Sequence, residues 1–115
     1  MKREYVPSRG DLVWVDFSPP AGHEQSGRRP ALVISPAAYN QKVVLALLCP
    51  ITSHPKGYPF EVNVASRSEI RGVVLADQIR NLDWRSRRAE SIGVVLESTL
   101  AEVLAKLQTL VGAEG

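Results

Sequence analysis

The 115-residue chain has one cysteine and two histidines. A single thiol, Cys49, excludes an intrachain disulfide and any zinc site built on several cysteines. Two histidines with no carboxylates at ligand spacing do not define a metal centre, so no metal or other cofactor is expected. No apolar run approaches the roughly 20 residues of a membrane span. The start, Met1-Lys2-Arg3-Glu4-Tyr5, lacks an apolar signal core, so no membrane partner and a cytoplasmic location are expected. P-loop, dinucleotide, GxSxG and HExxH motifs are absent, which removes several common enzyme classes. The formal net charge of +2 is too small to identify a nucleic-acid partner by itself.

A hydrophobic fraction of 44% with 23% charged residues is that of a globular protein, not a disordered one. The length predicts a single domain over 1–115 that builds its own core, with Cys49 as a small core residue. Ten of the fourteen cations are arginines, the side chain suited to bidentate phosphate contact. Arg80, Arg85, Arg87 and Arg88 crowd around Trp84, a pattern shared by solvated surfaces and phosphate-binding faces.

The stretch Gly10–Ser35 reads as strand, long polar loop, strand. Leu12–Phe17 places Val13, Val15 and Phe17 on one face and Leu12, Trp14 and Asp16 on the other. Apolar residues on both faces predict burial on both. Ala31–Ile34 is the second strand, and the intervening loop holds His23, Glu24, Arg28 and Arg29. A loop so long, carrying both charge signs, is costly to order and is often functional. Pro36–Asn40 reads as a turn or helical turn, and Val43–Leu48 as a central strand ended by Pro50. The polar loop Ile51–Pro59 leads to a one-sided strand at Phe60–Val64, a turn at Ala65–Arg71, and further strand at Gly72–Ala76 and through Leu82–Trp84. From Glu97 to Val111, Leu100, Val103, Leu104, Leu107 and Val111 fall at helical spacing. Thr99 with Glu102 is a candidate capping box, and Gly112 a candidate stop. Several short strands followed by one helix predict a mainly β (α+β) fold, a small, strongly bent antiparallel sheet or barrel with a C-terminal α-helix.

Three polar clusters stand at strand ends: His23, Glu24, Arg28 and Arg29; Thr52, Ser53, His54 and Lys56; and Asp77, Gln78 and the arginines up to Arg88. Cleaving an RNA phosphodiester requires a base for the 2′-hydroxyl, an acid for the departing 5′ oxygen, and donors that stabilise the charged transition state. Arg29 can supply charge and paired donors, Glu24 or a histidine can take the proton, and the Thr52 hydroxyl can donate to a phosphate oxygen. Such residues are common in loops. A Glu24–Arg29 surface ion pair and a Thr52 turn bond account for them equally well.

The ordered set Gly10-Asp-Leu-Val-Trp-Val-Asp-Phe17, Gly27-Arg-Arg-Pro-Ala-Leu-Val-Ile-Ser-Pro36, Cys49-Pro-Ile-Thr-Ser53, Lys56-Gly-Tyr-Pro-Phe-Glu61, Gly72-Val-Val-Leu-Ala-Asp-Gln-Ile-Arg80 and Asp83-Trp-Arg-Ser-Arg87 resembles the MazF/PemK (Kid) family of toxins. The resemblance implies an SH3-like antiparallel β-barrel with a C-terminal helix, working as a homodimer. It implies a metal-independent endoribonuclease that cuts single-stranded mRNA at a short motif, leaving 2′,3′-cyclic phosphate and 5′-hydroxyl ends. A cognate MazE-like antitoxin is the implied protein partner. Matched by motif, Arg29, Thr52 and Glu24 take the catalytic positions. Phe17, Arg28, Ser53, Lys56, Gln78 and Arg87 take RNA-binding positions. His23 and His54 are not part of the family pattern, and Ser53 stands where relatives carry a second threonine. Two other readings keep such a fold: a CcdB-like gyrase poison without nuclease chemistry, and a non-catalytic RNA- or peptide-binding module.

Overall fold

A computed structural model describes residues 4–17 and 27–112. The elements run β1 (Asp11–Asp16), β2 (Arg28–Val33), α1 (Ala37–Val43), β3 (Ala46–Thr52), β4 (Glu61–Asn63), β5 (Val73–Leu75), a single 3-10 turn at Ala76–Gln78, β6 (Arg80–Leu82), β7 (Glu90–Val94) and α2 (Glu97–Val111). The strands form one antiparallel sheet in the order β4-β5-β3-β2-β1-β7, with β6 also paired to β3. Strand ladders do not close the sheet. Its two edges meet instead through a bridge between Ser66 and Val95 and through the Leu96 amide, which donates to the Ala65 carbonyl at 2.9 Å. The fold is therefore mainly β with a C-terminal helix, a strongly bent sheet held nearly shut at one seam.

The two-residue strand period divides the core. Leu12, Leu32, Ile34, Cys49 and Ile51 join Val103 and Leu107 of α2 in one buried cluster. Val13, Val15, Phe17, Ala31, Val33, Ala46 and Leu48 form the other, closed by Leu82 and Trp84. Cys49 is buried as expected, and burial pushes its thiol up to about 12, where it stays protonated. The expected burial of both β1 faces holds for Leu12 but not for Trp14, which is 39% exposed and lines a surface depression.

Several elements differ from expectation. Val43–Leu48 is not one strand. α1 continues to Val43, Val44 takes a left-handed conformation (φ 58°) with its amide on the Asn40 carbonyl, and β3 begins only at Ala46. Pro50 does not end β3. It pairs with Ala31, and on the other edge it falls where the partner changes from β6 at Leu48 to β5 at Ile51. β7 was not anticipated: Glu90–Val94 contains Gly93 and alternates weakly, and pairing with β1 makes it a strand. The helix Glu97–Val111 forms as the spacing predicts. Its first turn has no side-chain cap, because Thr99 is buried inside the helix and Leu96 occupies the cap position.

Trp84 lies in the core rather than among exposed arginines, and its indole N–H donates to the Asn40 carbonyl at 2.9 Å. Asn40 is itself fully buried. Its side-chain amide donates to the Pro7 and Ser35 carbonyls while its oxygen accepts from the Ser35 hydroxyl, so the lead-in, α1 and the turn after β6 share one anchor.

Candidate active site

Arg28 and Arg29 begin β2 rather than sitting in the loop before it, because Asp16 and Val15 of β1 pair with them. Neighbours on a strand point to opposite faces, and these two arginines meet different surroundings. Arg28 donates to Asp16 at 3.2 Å, to Glu90 at 2.5 Å and to the Arg88 carbonyl at 2.8 Å. Arg88 completes the network with a 3.1 Å bond to the other Asp16 oxygen. These two arginine bonds hold the Asp16 carboxyl below its usual range. Arg87 donates to the Asp16 carbonyl, and Arg85 pairs with Glu4. Much of the arginine-rich stretch thus fastens a turn to the end of β1 and β2.

Arg29 lies on the other face. The Ala31–Pro50 pair, continued two residues along the same antiparallel register, brings Arg29 beside Thr52 at the end of β3. Both line a cleft of about 300 Å³ with His54, Lys56, Tyr58, Glu61, Leu75, Asp77 and Gln78. Its walls come from β2 and β3, the loop after β3, and the turn after β5.

The loop after β3 is ordered by side-chain acceptors. The Glu61 carboxylate takes the amides of Lys56 at 2.9 Å and Gly57 at 3.0 Å, with Gly57 at φ +83°. Lys106 of α2 donates to the Pro59 carbonyl. Thr52, 7% exposed, accepts the His54 amide on its hydroxyl oxygen at 3.2 Å, an ST-turn that leaves the hydroxyl hydrogen to point elsewhere. Behind it, Gly72 at φ +125° passes so close that a β-carbon there would stand 2.1 Å from the Thr52 carbonyl oxygen. The glycine lets β5 approach the Thr52 end of β3.

Of the residues singled out in the sequence, Arg29, Thr52, Lys56 and Gln78 converge in this cleft. Ser53 faces a neighbouring depression of about 320 Å³ lined also by Trp14, Pro30, Ile70 and Arg71, to which Arg29 contributes as well. Arg28 and Arg87 stand apart in the ion-pair network. Phe17, expected at an RNA-binding position, is fully buried in the second core cluster, with the Arg80 guanidinium 5.5 Å from its ring. Glu24 and His23 lie outside the described residues. Sequence reasoning placed His54 and Asp77 in its candidate clusters and offered a histidine as proton acceptor without choosing one, and it gave no role to Tyr58 or Glu61. The turn-rich composition around Lys56–Gly57 and the Ala-Asp-Gln turn mark their loops, but only the folded register shows that the two loops face each other.

A family model described as PemK-like, MazF-like toxin of type II toxin–antitoxin system matches residues 8–111. The chain belongs to this toxin family. It is 49% identical over 112 residues to the endoribonuclease toxin MazF of Escherichia coli K12, covering 97% of this chain and all of that protein. The endoribonuclease toxin ChpB of the same organism is 38% identical, with 90% and 92% of the two chains covered. Among solved structures, MazF from Deinococcus radiodurans superposes with a TM-score of 0.91 at 57% identity, covering 96% of this chain and all of the other. A MazE–MazF structure from that organism superposes at 0.84 with 51% identity and covers the same shares.

Proposed function

We propose that this chain, an endoribonuclease toxin by family, cleaves single-stranded mRNA at a short motif without a metal ion and leaves 2′,3′-cyclic phosphate and 5′-hydroxyl ends. The observation that carries this reading is the convergence of Arg29, Thr52, Lys56 and Gln78, from three separate parts of the chain, in one open cleft. Arg29 and Lys56 bring fixed positive charge to a phosphate seated there, and the planar Arg29 fork binds two of its oxygens. Arg29 acts by stabilising the charge of the pentavalent transition state, because a guanidinium keeps its proton at any physiological pH. The Thr52 hydroxyl donates to a non-bridging oxygen. Gln78 and Ser53 read base or sugar groups on either side, and Glu24 of the loop before β2 completes the catalytic set.

The toxin works as a homodimer in the cytoplasm and is neutralised by a MazE-like antitoxin; the antitoxin partner is supported by a MazE–MazF structure of a protein 51% identical to it. An acidic peptide competes with RNA for the same cationic cleft. Incubating the purified protein with a mixed-sequence RNA in EDTA tests the proposal. Cuts at a recurring motif ending in cyclic phosphate support it. Intact RNA together with inhibited gyrase points to the CcdB-like reading, and RNA bound but uncut points to a binding module.

A further inference from the structure

Within the cleft, Arg29 and Lys56 supply donors without acceptor capacity, and Tyr58 a phenol. The Glu61 carboxylate is occupied by two backbone amides. Asp77 stands on the opposite wall, at the turn after β5. Among the described lining residues, His54 carries the imidazole, the side-chain type most often used for general acid–base chemistry. It sits two residues beyond Thr52, with its amide on the Thr52 hydroxyl oxygen and its exposed ring opening to the cleft. Its ring is also oriented, since Nδ1 lies 3.2 Å from the Ser53 hydroxyl.

We propose that His54 is the general base of the cleavage step and that Ser53 is its positioning residue. This rests on the ribonuclease reading of the same cleft. With Nδ1–H donating to Ser53 Oγ, Nε2 is left as the acceptor and takes the 2′-hydroxyl proton. The 2′ oxygen forms its bond to phosphorus, the bond from phosphorus to the 5′ oxygen breaks, and a solvent water in the open cleft protonates the departing oxygen. The imidazolium then returns its proton to solvent. Arg29, Lys56, Asp77 and Glu61 are the described charged groups that share the cleft with the ring.

The test is the pH dependence of kcat/KM on an RNA carrying the preferred motif, for wild type, His54→Gln, His54→Ala with and without added imidazole, and Ser53→Ala. Wild type loses activity about tenfold per pH unit on the acid side of its profile, where the base is protonated. His54→Gln falls by about 10²-fold in kcat with little change in KM and loses that acid limb. Imidazole partly restores His54→Ala, and Ser53→Ala shifts the limb without abolishing it. Because His54 is exposed, the variants keep the wild-type circular dichroism. A His54→Gln enzyme that keeps the acid limb, or that is impaired only in KM, overturns the inference and leaves the ribonuclease reading standing. A wild type that cuts no RNA overturns the ribonuclease reading itself.

Discussion

Arg28 and Arg29 are adjacent, chemically identical and placed on one strand, yet they meet opposite surroundings. Arg28 is spent on Asp16, Glu90 and the Arg88 carbonyl, inside an ion-pair network that fastens the turn before β7 to the end of β1. Arg29, one residue on, turns to the face where β3 ends in Thr52 and lines the cleft with His54, Lys56 and Gln78. The difference is set by strand alternation, not by residue type. Charge near a site therefore says little until the register assigns it to scaffold or chemistry.

The comparison breaks most severely if the cleft side loses its backbone geometry. Gly72→Ala puts a β-carbon 2.1 Å from the Thr52 carbonyl oxygen at a φ that L-residues avoid. We expect a loss of about 2–4 kcal/mol in chemical denaturation together with loss of RNA cleavage, because β5 must move off the end of β3. Arg29→Lys is the next largest effect on activity. It keeps the charge but removes the planar fork, and cleavage rate should fall about 10²-fold with an unchanged melting curve. A near-wild-type rate would show that only charge is needed there. Thr52→Val removes the hydroxyl while keeping the shape, and costs about tenfold in cleavage rate, the worth of one hydrogen bond.

How much of this was legible in the sequence depends on whether local pattern or tertiary pairing decided each element. The helix Glu97–Val111 was legible because its apolar spacing is strong over four turns, and β1 because its valines alternate, while β2 was read from the apolar run Ala31–Ile34 and in fact begins at Arg28. β7 was not, because Glu90–Val94 becomes a strand only through its partner β1. The apolar run Val43–Leu48 misled because a left-handed Val44 divides it between α1 and β3. In the site, the motifs pointed to Arg29, Thr52, Lys56 and Gln78. They also pointed to Phe17, whose aromatic ring is as fit for a core as for a base, and burial assigns it to the core. His54 carried no family motif, and although the sequence set it in one cluster with Thr52, its shared cleft with Asp77 and Gln78 appears only in the fold.

The scaffold side gives the smallest effect, and its sign follows from Asp16. Its carboxyl titrates below the usual 3.8 because Arg88 and Arg28 bond it in the folded state. A depressed folded-state pKa adds stability that is present above 3.8 and is lost as pH falls through the lowered value. In urea denaturation, Arg28→Ala should therefore be slightly less stable than wild type at neutral pH, and the gap should close under acid. A gap that widens under acid would mean that Arg28 is not held through Asp16.

The most direct measurement is single-turnover cleavage of one RNA, in EDTA, by Arg28→Ala and Arg29→Ala side by side. The account predicts that Arg29→Ala loses about 10³-fold or more while Arg28→Ala stays within about threefold of wild type. Equal losses in the two variants would contradict it, for then both arginines would serve the chemistry and the division between the two faces would not hold.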